Sequence, residues 1–372
     1  MAATKLRLAI LDDYQNIAPE IFLQQFPNHE IEIESFPDTL QAKRDDQRAA
    51  LIDRLQDFDA ISTMRERTAF PATVLNNLPR LKLILTTGAG NAAIDTKTCH
   101  ERGITVIGTG AKHIPKIPPS QLKPLPAGLQ YTAEQTLALI LAIAKDVPHN
   151  SKTLAAGGWQ TNMTSSLAGK TLGVLGLGRI GSLVARMAIL GFGMKVIAWS
   201  SSLTQDAANT KAAEIGLTPF DDVANAPAIT AVVSKLDLFR RADFVSIHYV
   251  LSERSRGIVG REEIAAMKST ASIINTSRGG LIDEEAMYEA VKNGRIRGVG
   301  LDVFQEEPLA ADSPWRHTKW GEDGAGCAVL SPHLGYADEV VIPAWYRESA
   351  EHLAEFLRGE GSEPVIVRPG KL

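Results

Sequence analysis

Short apolar runs and amphipathic stretches alternate along the first third of the chain. The runs have the length and composition of buried strands, and the stretches between them repeat apolar residues at helical spacing. Strands are predicted at residues 6–11, 30–36, 60–63, 81–86 and 104–107, with helices at 17–25, 47–56, 71–77 and 95–102. Strands that alternate with helices predict a first parallel α/β unit.

A segment rich in Pro, Lys and Gly, residues 108–128, then interrupts the alternation. It predicts a linker or an active-site loop, because proline breaks helices and central strands. Residues 132–146 form an almost uniformly apolar helical stretch, which we expect to be buried on several sides, as between two domains. A second unit begins at Lys170, with strands predicted at 172–175, 194–199, 244–248, 272–275, 298–301 and 328–330 and a last helix at 338–357.

Three glycines, Gly176, Gly178 and Gly181, lie between the strand at 172–175 and a helical stretch at 179–190. This GxGxxG spacing between a strand and a helix is typical of a dinucleotide-binding turn, although an ordinary Gly-rich turn is the alternative. A pyrophosphate binds there against bare backbone, because free N–H groups and the dipole at a helix N-terminus attract anions. A side chain at Gly178 would hold the phosphates away.

The strand at 194–199 ends on Ser200, followed by Ser201 and Ser202. In an NAD site an Asp or Glu usually ends this strand and binds the ribose hydroxyls. The missing carboxylate removes the charge that repels a 2′-phosphate, yet no Arg stands beside the serines to bind one. The choice between NAD and NADP is therefore open, with tolerance of NADP expected.

Composition narrows the class of protein. The chain has 372 residues, 39 Lys and Arg against 43 Asp and Glu, and no dense basic run, so nucleic acid and anionic membranes are poor partners. Its two cysteines, Cys99 and Cys327, form neither a disulfide framework nor a metal-ligand pattern. We expect a protein of the reducing cytoplasm, without a signal peptide, a membrane span or a metal.

Three segments late in the chain carry candidate chemistry. Arg278 follows the strand at 272–275, where its planar fork suits a carboxylate next to a carbonyl, although a surface Arg beside a Gly turn is the alternative. The strand at 298–301 leads to Asp302 and Glu307, and that at 328–330 leads to His333. A carboxylate on one ring nitrogen fixes the tautomer of a His and raises its pKa, as a proton donor to a carbonyl requires. The pair would be Glu307 and His333.

Taken together, these motifs resemble the D-isomer-specific 2-hydroxyacid dehydrogenase family. The resemblance covers residues 81–90, Ile94-Asp95, the 132–136 helix start, the glycine fingerprint and all three late segments. It implies two doubly wound parallel-sheet domains, with a Rossmann dinucleotide domain (131–335) inserted into a flavodoxin-like substrate domain (1–130 and 336–372). It also implies a homodimer.

The resemblance assigns roles residue by residue. Arg278 would orient the 2-oxo acid, His333 would be the acid/base, Glu307 would hold it, and the N–H groups of Ala89 and Gly90 would receive the substrate carboxylate. The residues that it implies for binding NAD or NADP are Gly176, Gly178, Arg179, Ile180, Gly181, Ser200, Ser201, His248, Thr276 and Asp302, the last of these approaching the nicotinamide.

The sequence thus predicts hydride transfer between a nicotinamide and a small 2-oxo or D-2-hydroxy acid, glyoxylate-like, hydroxypyruvate-like or branched. Two alternatives remain: a formate-oxidising relative, and a nucleotide-sensing corepressor on the same scaffold. The chain departs from the family pattern at Ser200, at Val250 in place of a common proline, and in extra residues at 112–128 and 321–326. We expect both insertions to touch the active-site cleft and its approaches, which leaves the substrate open.

Overall fold

A computed structural model of the chain describes residues 5–28, 30–110, 112–113, 130–221 and 225–359. By its internal contacts it divides into two units. The first contains the described residues up to 113 together with 339–359, and the second contains the described residues from 130 to 338. The predicted proline-rich insertion lies outside the described residues apart from Lys112 and His113.

The first unit is built on five parallel strands in the order β2-β1-β3-β4-β5. Its elements are β1 (Leu6–Leu11), α1 (Ala18–Gln25), β2 (Ile31–Phe36), α2 (Asp45–Leu55), β3 (Ala60–Thr63), α3 (Ala72–Leu75), β4 (Leu83–Thr86), α4 (Thr96–Glu101) and β5 (Thr105–Gly108). The order 2-1-3-4-5 is that of a flavodoxin-like doubly wound sheet. All five predicted strands are present, each within two residues of its predicted ends.

The second unit contains a seven-stranded parallel sheet in the order β10-β7-β6-β11-β12-β13-β14. Its elements are α5 (Gln130–Ala144), α6 (Val147–Ala155), β6 (Thr171–Leu175), α7 (Arg179–Phe192), β7 (Lys195–Trp199), α8 (Gln205–Glu214), β8 (Phe220–Asp221), β9 (Ala226–Pro227), β10 (Ile229–Ala231), α9 (Lys235–Arg241), β11 (Phe244–Ile247), α10 (Arg261–Ala265), β12 (Ser272–Asn275), α11 (Glu284–Lys292), β13 (Gly298–Leu301), α12 (Pro314–His317) and β14 (Cys327–Leu330). The chain then returns to the first unit, where α13 (Val341–Leu357) packs against α1, β4 and β5.

The strand order of the second unit reverses between β6 and β11. From β6 the chain runs outward through β7 to β10, and it then crosses back to β11 and continues to β14 on the other side. Such a reversal opens a crevice at the carboxyl ends of the strands, which is where doubly wound sheets bind ligands. The Rossmann order expected for this unit is therefore present, extended by one strand.

Apolar side chains cover both faces of this sheet. Within β11, Phe244 joins the cluster formed with α5 and α7, whereas Val245 and Ile247 join the cluster formed with α9, α10 and α11. Successive strand residues point to opposite faces, so a strand buried on both sides is apolar at nearly every position. This double burial explains why the strands were visible as continuous apolar runs.

The apolar helix α5 packs against α7, β12, β13 and β14 of the second unit, and its expected place between two domains stays a prediction. One expectation about position is wrong. The insertion at 321–326 was expected near the active site, but it precedes β14 and packs at the end of α11, where the Gly326 amide donates to the Val291 carbonyl. That position is at the amino ends of β13 and β14, the sheet edge opposite to the predicted site.

Candidate active site

The glycine turn lies between β6 and α7, and a different feature of the structure explains the absence of a side chain at each of its three glycines. Gly176 has a φ of +100°, and a Cβ there would lie 2.7 Å from the carbonyl oxygen of His248. A Cβ on Gly181 would lie 2.2 Å from the Gly176 oxygen. Gly178, the N-cap of α7, has no atom within 4 Å of its Cβ position, so this space is open to a ligand.

Open space at the N-terminus of a 14-residue helix fits a pyrophosphate. Arg179 is exposed on the first turn, Ile180 is half-buried, and Gly178 is exposed between them and the strand. The turn therefore offers backbone N–H groups, the helix dipole and one cation to the same anion. These residues fit the dinucleotide that the sequence predicts.

The remaining predicted cofactor residues lie along the same carboxyl edge. Ser200 and Ser201 follow β7, which ends at Trp199 as predicted. His248 follows β11, and its Nε2 lies 2.7 Å from the Ser246 hydroxyl. Thr276 follows β12 and is buried, with its hydroxyl 2.8 Å from that of Thr136 on α5.

His248 carries an orphaned polar atom at this edge. Its Nδ1 is buried and has no hydrogen-bond partner among the described residues. Burial lowers the pKa of His248 to about 3, so the ring is neutral at physiological pH. A buried polar group without a partner costs roughly 1–3 kcal/mol, which a bound cofactor would offset by supplying one.

Arg278 lies in a rigid turn after β12. The Asn275 amide donates to the Arg278 carbonyl (3.0 Å), and the Ser277 hydroxyl donates to the carbonyl of Ile247 (2.9 Å). A Cβ on Gly279 would lie 2.0 Å from the backbone of Phe304, so only glycine permits this close approach. The turn fixes the backbone from which the guanidinium of Arg278 projects. Asn275, whose side chain holds this turn, was not singled out from the sequence.

His333 and Glu307 are brought together although 26 positions separate them. Nδ1 of His333 lies 2.6 Å from Oε2 of Glu307, and Oε1 of Glu307 accepts from the amide of Phe304 (3.0 Å). The side chains are 14% and 20% exposed, respectively. Because the carboxylate holds the hydrogen on Nδ1, Nε2 is the nitrogen that can exchange a proton with a ligand.

Asp302 holds the loop that carries His333. It is fully buried, and its Oδ1 accepts from the Ser331 hydroxyl (2.5 Å) and the Leu334 amide (2.8 Å), while Oδ2 accepts from the Gly335 amide (2.9 Å). His333 itself has a φ of +57°, a conformation that persists only when its surroundings impose it. Asp302 is thus a positioning residue in this structure, whereas its predicted approach to the nicotinamide stays a prediction.

Gln135 completes this network from α5, since its Nε2 donates to Ser331 (2.9 Å) and lies 3.4 Å from Oδ1 of Asp302. Sequence reasoning missed Gln135 and Ser331 as functional positions. The signal available was weak: a polar residue within an apolar helix, and a serine directly before Pro332 and His333.

In the first unit, Ala89 and Gly90 follow β4. Neither of their backbone N–H groups donates a hydrogen bond to another described residue. The preceding Gly88 has a φ of +85°, and its own amide donates to the Thr109 hydroxyl (2.7 Å). This turn therefore leaves two adjacent donors for an anion.

Two features are absent from the described residues. No three His, Cys, Asp or Glu side chains in the described ranges are grouped as a metal ion would need. None of the helices described combines the length and the apolar character needed to cross a bilayer.

The fold and these sites are those of a two-domain dehydrogenase, and comparison with known protein families identifies which one. Residues 137–335 match the D-isomer specific 2-hydroxyacid dehydrogenase, NAD binding domain, and residues 9–115 match the catalytic domain of the same enzymes. The chain belongs to the D-isomer specific 2-hydroxyacid dehydrogenase family.

Relatives within the family carry several names. The chain is 34% identical to D-3-phosphoglycerate dehydrogenase of Methanocaldococcus jannaschii, covering 86% of this chain and 53% of that protein. It is 31% identical to glyoxylate reductase of Korarchaeum cryptofilum, covering 87% and 88%. Among solved structures, phosphoglycerate oxidoreductase from Vibrio cholerae O395 superposes with a TM-score of 0.76 at 29% identity, covering 95% and 99%. The chain thus spans about half the length of the first relative and most of the other two.

Proposed function

We propose that the protein interconverts a small 2-oxo acid and its D-2-hydroxy acid, using NAD or NADP. The single observation that carries the proposal is the Glu307–His333 pair on the sheet edge that also carries Arg278 and the glycine turn. A bound nicotinamide would supply or accept the hydride at C2. A glyoxylate-like, hydroxypyruvate-like or branched substrate fits, since relatives named glyoxylate reductase and phosphoglycerate dehydrogenase differ in what C2 carries.

Three side chains transfer the proton and bind the polar groups of the substrate. In the reducing direction, Nε2 of His333 donates a proton to the oxygen at C2, while Glu307 stabilises the imidazolium from the other side of the ring. Arg278 binds the carboxylate and the adjacent oxygen through its planar fork and stabilises the charge that develops there. In the oxidising direction Nε2 receives the proton instead.

Two backbone donors would complete substrate binding. We assign the substrate carboxylate to the free N–H groups of Ala89 and Gly90, which lie in the first unit. The corresponding domain assignment is a substrate domain of residues 1–130 and 336–372 and a dinucleotide-binding domain of residues 131–335. Ser200 and Ser201 would face the adenosine ribose, without a carboxylate to exclude a 2′-phosphate.

We also propose a homodimer in the cytoplasm. Four large apolar side chains on α6 and the segment after it are exposed: Val147, Leu154, Trp159 and Met163. Trp159 is 75% and Met163 95% exposed, which is typical of a surface covered by a second copy. Both cysteines are free thiols, as in proteins of reducing compartments. Light scattering of the wild type and of Trp159→Ser tests the dimer, since a monomeric wild type would refute it.

The test of function is a substrate panel with both cofactors. Purified protein is mixed with NADH or NADPH and glyoxylate, hydroxypyruvate or a branched 2-oxo acid, and the loss of nicotinamide absorbance is followed. We expect turnover of at least one 2-oxo acid, and where the product is chiral at C2, as from hydroxypyruvate, its D-isomer should be the one oxidised in reverse. Tight cofactor binding without turnover of any substrate would refute the enzyme and favour a nucleotide sensor.

A further inference from the structure

Tyr249 bridges two strands that are not neighbours in the sheet. It follows β11, while the serines at 200–202 follow β7, and β6 with its glycine turn lies between them. The ring passes close to that turn, since a Cβ on Gly176 would lie 3.1 Å from Cδ2 of Tyr249. The tyrosine therefore reaches across the place where the sheet order reverses, toward the end of the second strand of the Rossmann unit.

Three interactions hold Tyr249 in this position. Its hydroxyl oxygen accepts a hydrogen bond from the backbone N–H of Ser201 (3.1 Å), and the hydroxyl donates to Oγ of the same serine (3.3 Å). Its ring stacks on Trp199, with centroids 6.3 Å apart and planes inclined by 21°. Two hydrogen bonds and an aromatic stack make the side chain a fixed part of the loop after β7.

The contact with Tyr249 reduces the number of hydrogen-bond donors that the loop after β7 can offer to a ligand. A 2′-phosphate on the adenosine ribose binds through cations and through backbone N–H groups. Residues 200–205 contain no Lys or Arg, so the backbone amides are the strong donors that remain. The amide of Ser201 is one of them, and it is already bonded to Tyr249.

We propose that Tyr249 is a specificity-determining residue that disfavours a 2′-phosphate by occupying the backbone N–H of Ser201. The inference rests on the proposed function, because it assumes that the loop after β7 faces the adenosine ribose. Tyr249 acts here through Ser201 and has no part in the hydride-transfer chemistry. The ribose of NAD, which brings hydroxyl groups and no added charge, does not need this amide.

The test is the Tyr249→Phe variant, which removes one hydroxyl and keeps the ring on Trp199. Equilibrium dissociation constants are measured by calorimetry, at one ionic strength, for NADH and NADPH and for the fragments ADP and adenosine 2′,5′-bisphosphate. The freed amide can then donate to the phosphate. We expect the ratio of Kd for NADPH to Kd for NADH to fall about five- to tenfold, with a parallel fall for the fragments.

Two control variants separate this effect from a structural one. Tyr288→Phe makes the same chemical change on α11, where the hydroxyl pairs with Thr318, and it should leave all four constants unchanged. Ser201→Ala keeps the amide bonded to Tyr249, so it must not lower the ratio.

Each outcome decides the matter. If Tyr249→Phe weakens NADH and NADPH equally, or raises the ratio, Tyr249 is a scaffold residue and the inference is wrong. If the wild type binds neither NADH nor NADPH, the proposed function itself fails. If the wild type binds cofactor but the variant leaves the ratio unchanged, only the inference about Tyr249 fails.

Discussion

Two histidines at the same edge of the second sheet are placed in opposite environments. His248, after β11, is half-buried beside the glycine turn, with its Nδ1 buried and no carboxylate among its hydrogen-bond partners, and desolvation of the ring keeps it neutral. His333, after β14, is partly exposed and bonded to Glu307. The residue type is the same, so the surroundings alone decide which ring can work as an acid/base and which can only bind.

The contrast extends to the whole edge. Around β6, β7 and β11 the edge leaves open space, as at Gly178, where a Cβ would have no atom within 4 Å. Around β12, β13 and β14 it places side chains and fixes them, as Asp302 fixes the His333 loop. Changes on the first side should therefore act on cofactor binding, and changes on the second side on the rate.

The largest effect is expected at His333. His333→Ala should lower the rate of 2-oxo acid reduction by about 10²–10⁴, the usual contribution of a general acid, and leave the Kd for NADH unchanged. Steady-state kinetics and calorimetry measure the two quantities. His248→Gln is the matched control, with a weaker Kd and a rate within a few-fold of wild type. The comparison breaks down if His248→Gln loses as much rate as His333→Ala.

Arg278→Lys should cost about ten- to a hundredfold in kcat/KM for the 2-oxo acid. An ammonium cannot contact carboxylate and carbonyl in one plane, and a hydrogen bond to a charged group is worth roughly 1.5–3 kcal/mol. Kinetics with saturating cofactor measure the loss. Kinetic constants equal to wild type would mean that Arg278 only supports its turn.

The buried state of His248 predicts a pH dependence of stability. Its pKa is about 3 when folded against 6.5 as the ordinary value, so between these values the unfolded chain binds a proton that the folded protein does not. Stability should therefore fall as the pH drops below 6.5, by about 2 kcal/mol at pH 5.

Thermal unfolding of the wild type and of His248→Gln at pH 7.5 and 5 checks this, and the variant should lose less stability on acidification. His100→Gln, which changes an exposed histidine, is the control and should follow the wild type. Equal losses in wild type and His248→Gln would show that the ring is not held neutral by burial.

Glu307→Gln sharpens the other half of the comparison. The amide can still accept from Nδ1 of His333, but it carries no negative charge to stabilise the imidazolium that takes part in proton transfer. The kcat for 2-oxo acid reduction, measured at one pH, should therefore fall about tenfold while the Kd for NADH stays unchanged. A kcat equal to that of the wild type would refute the functional pairing.

The smallest effect is expected at Ser200. Ser200→Asp introduces a carboxylate that accepts from the ribose hydroxyls and repels a 2′-phosphate, so it should shift preference toward NADH by about tenfold, or ~1.4 kcal/mol. Kinetics with both cofactors at one ionic strength measure the shift from a wild type that we expect to discriminate modestly. Strong rejection of NADPH by the wild type would place ribose recognition at another residue.

The sequence by itself determined the five strands of the first unit, six of the seven described in the large sheet of the second, all but β10, and the turns that follow them. Both are local properties: strands buried on both faces are apolar at nearly every position, Gly176 has a positive φ, and Gly181 lies against the Gly176 oxygen within the turn itself. Even the end of β7 at Trp199 could be placed from the change to three serines. The pairing of His333 with Glu307 was also predicted, because a histidine that donates a proton needs a carboxylate on its other ring nitrogen, and the family resemblance then assigned the two roles.

Only the tertiary structure decided which side chains from different strands and loops contact one another at the edge of the sheet. The donors to Asp302 come from α5 and from the loop after β14, and Tyr249 contacts Ser201 across 48 positions. Neither contact has a periodicity or a motif, since each depends on the order of parallel strands and on which loop crosses which. The same reason applies to α5: its apolar pattern predicts that the helix is buried, and only the order of the strands determines which elements cover it.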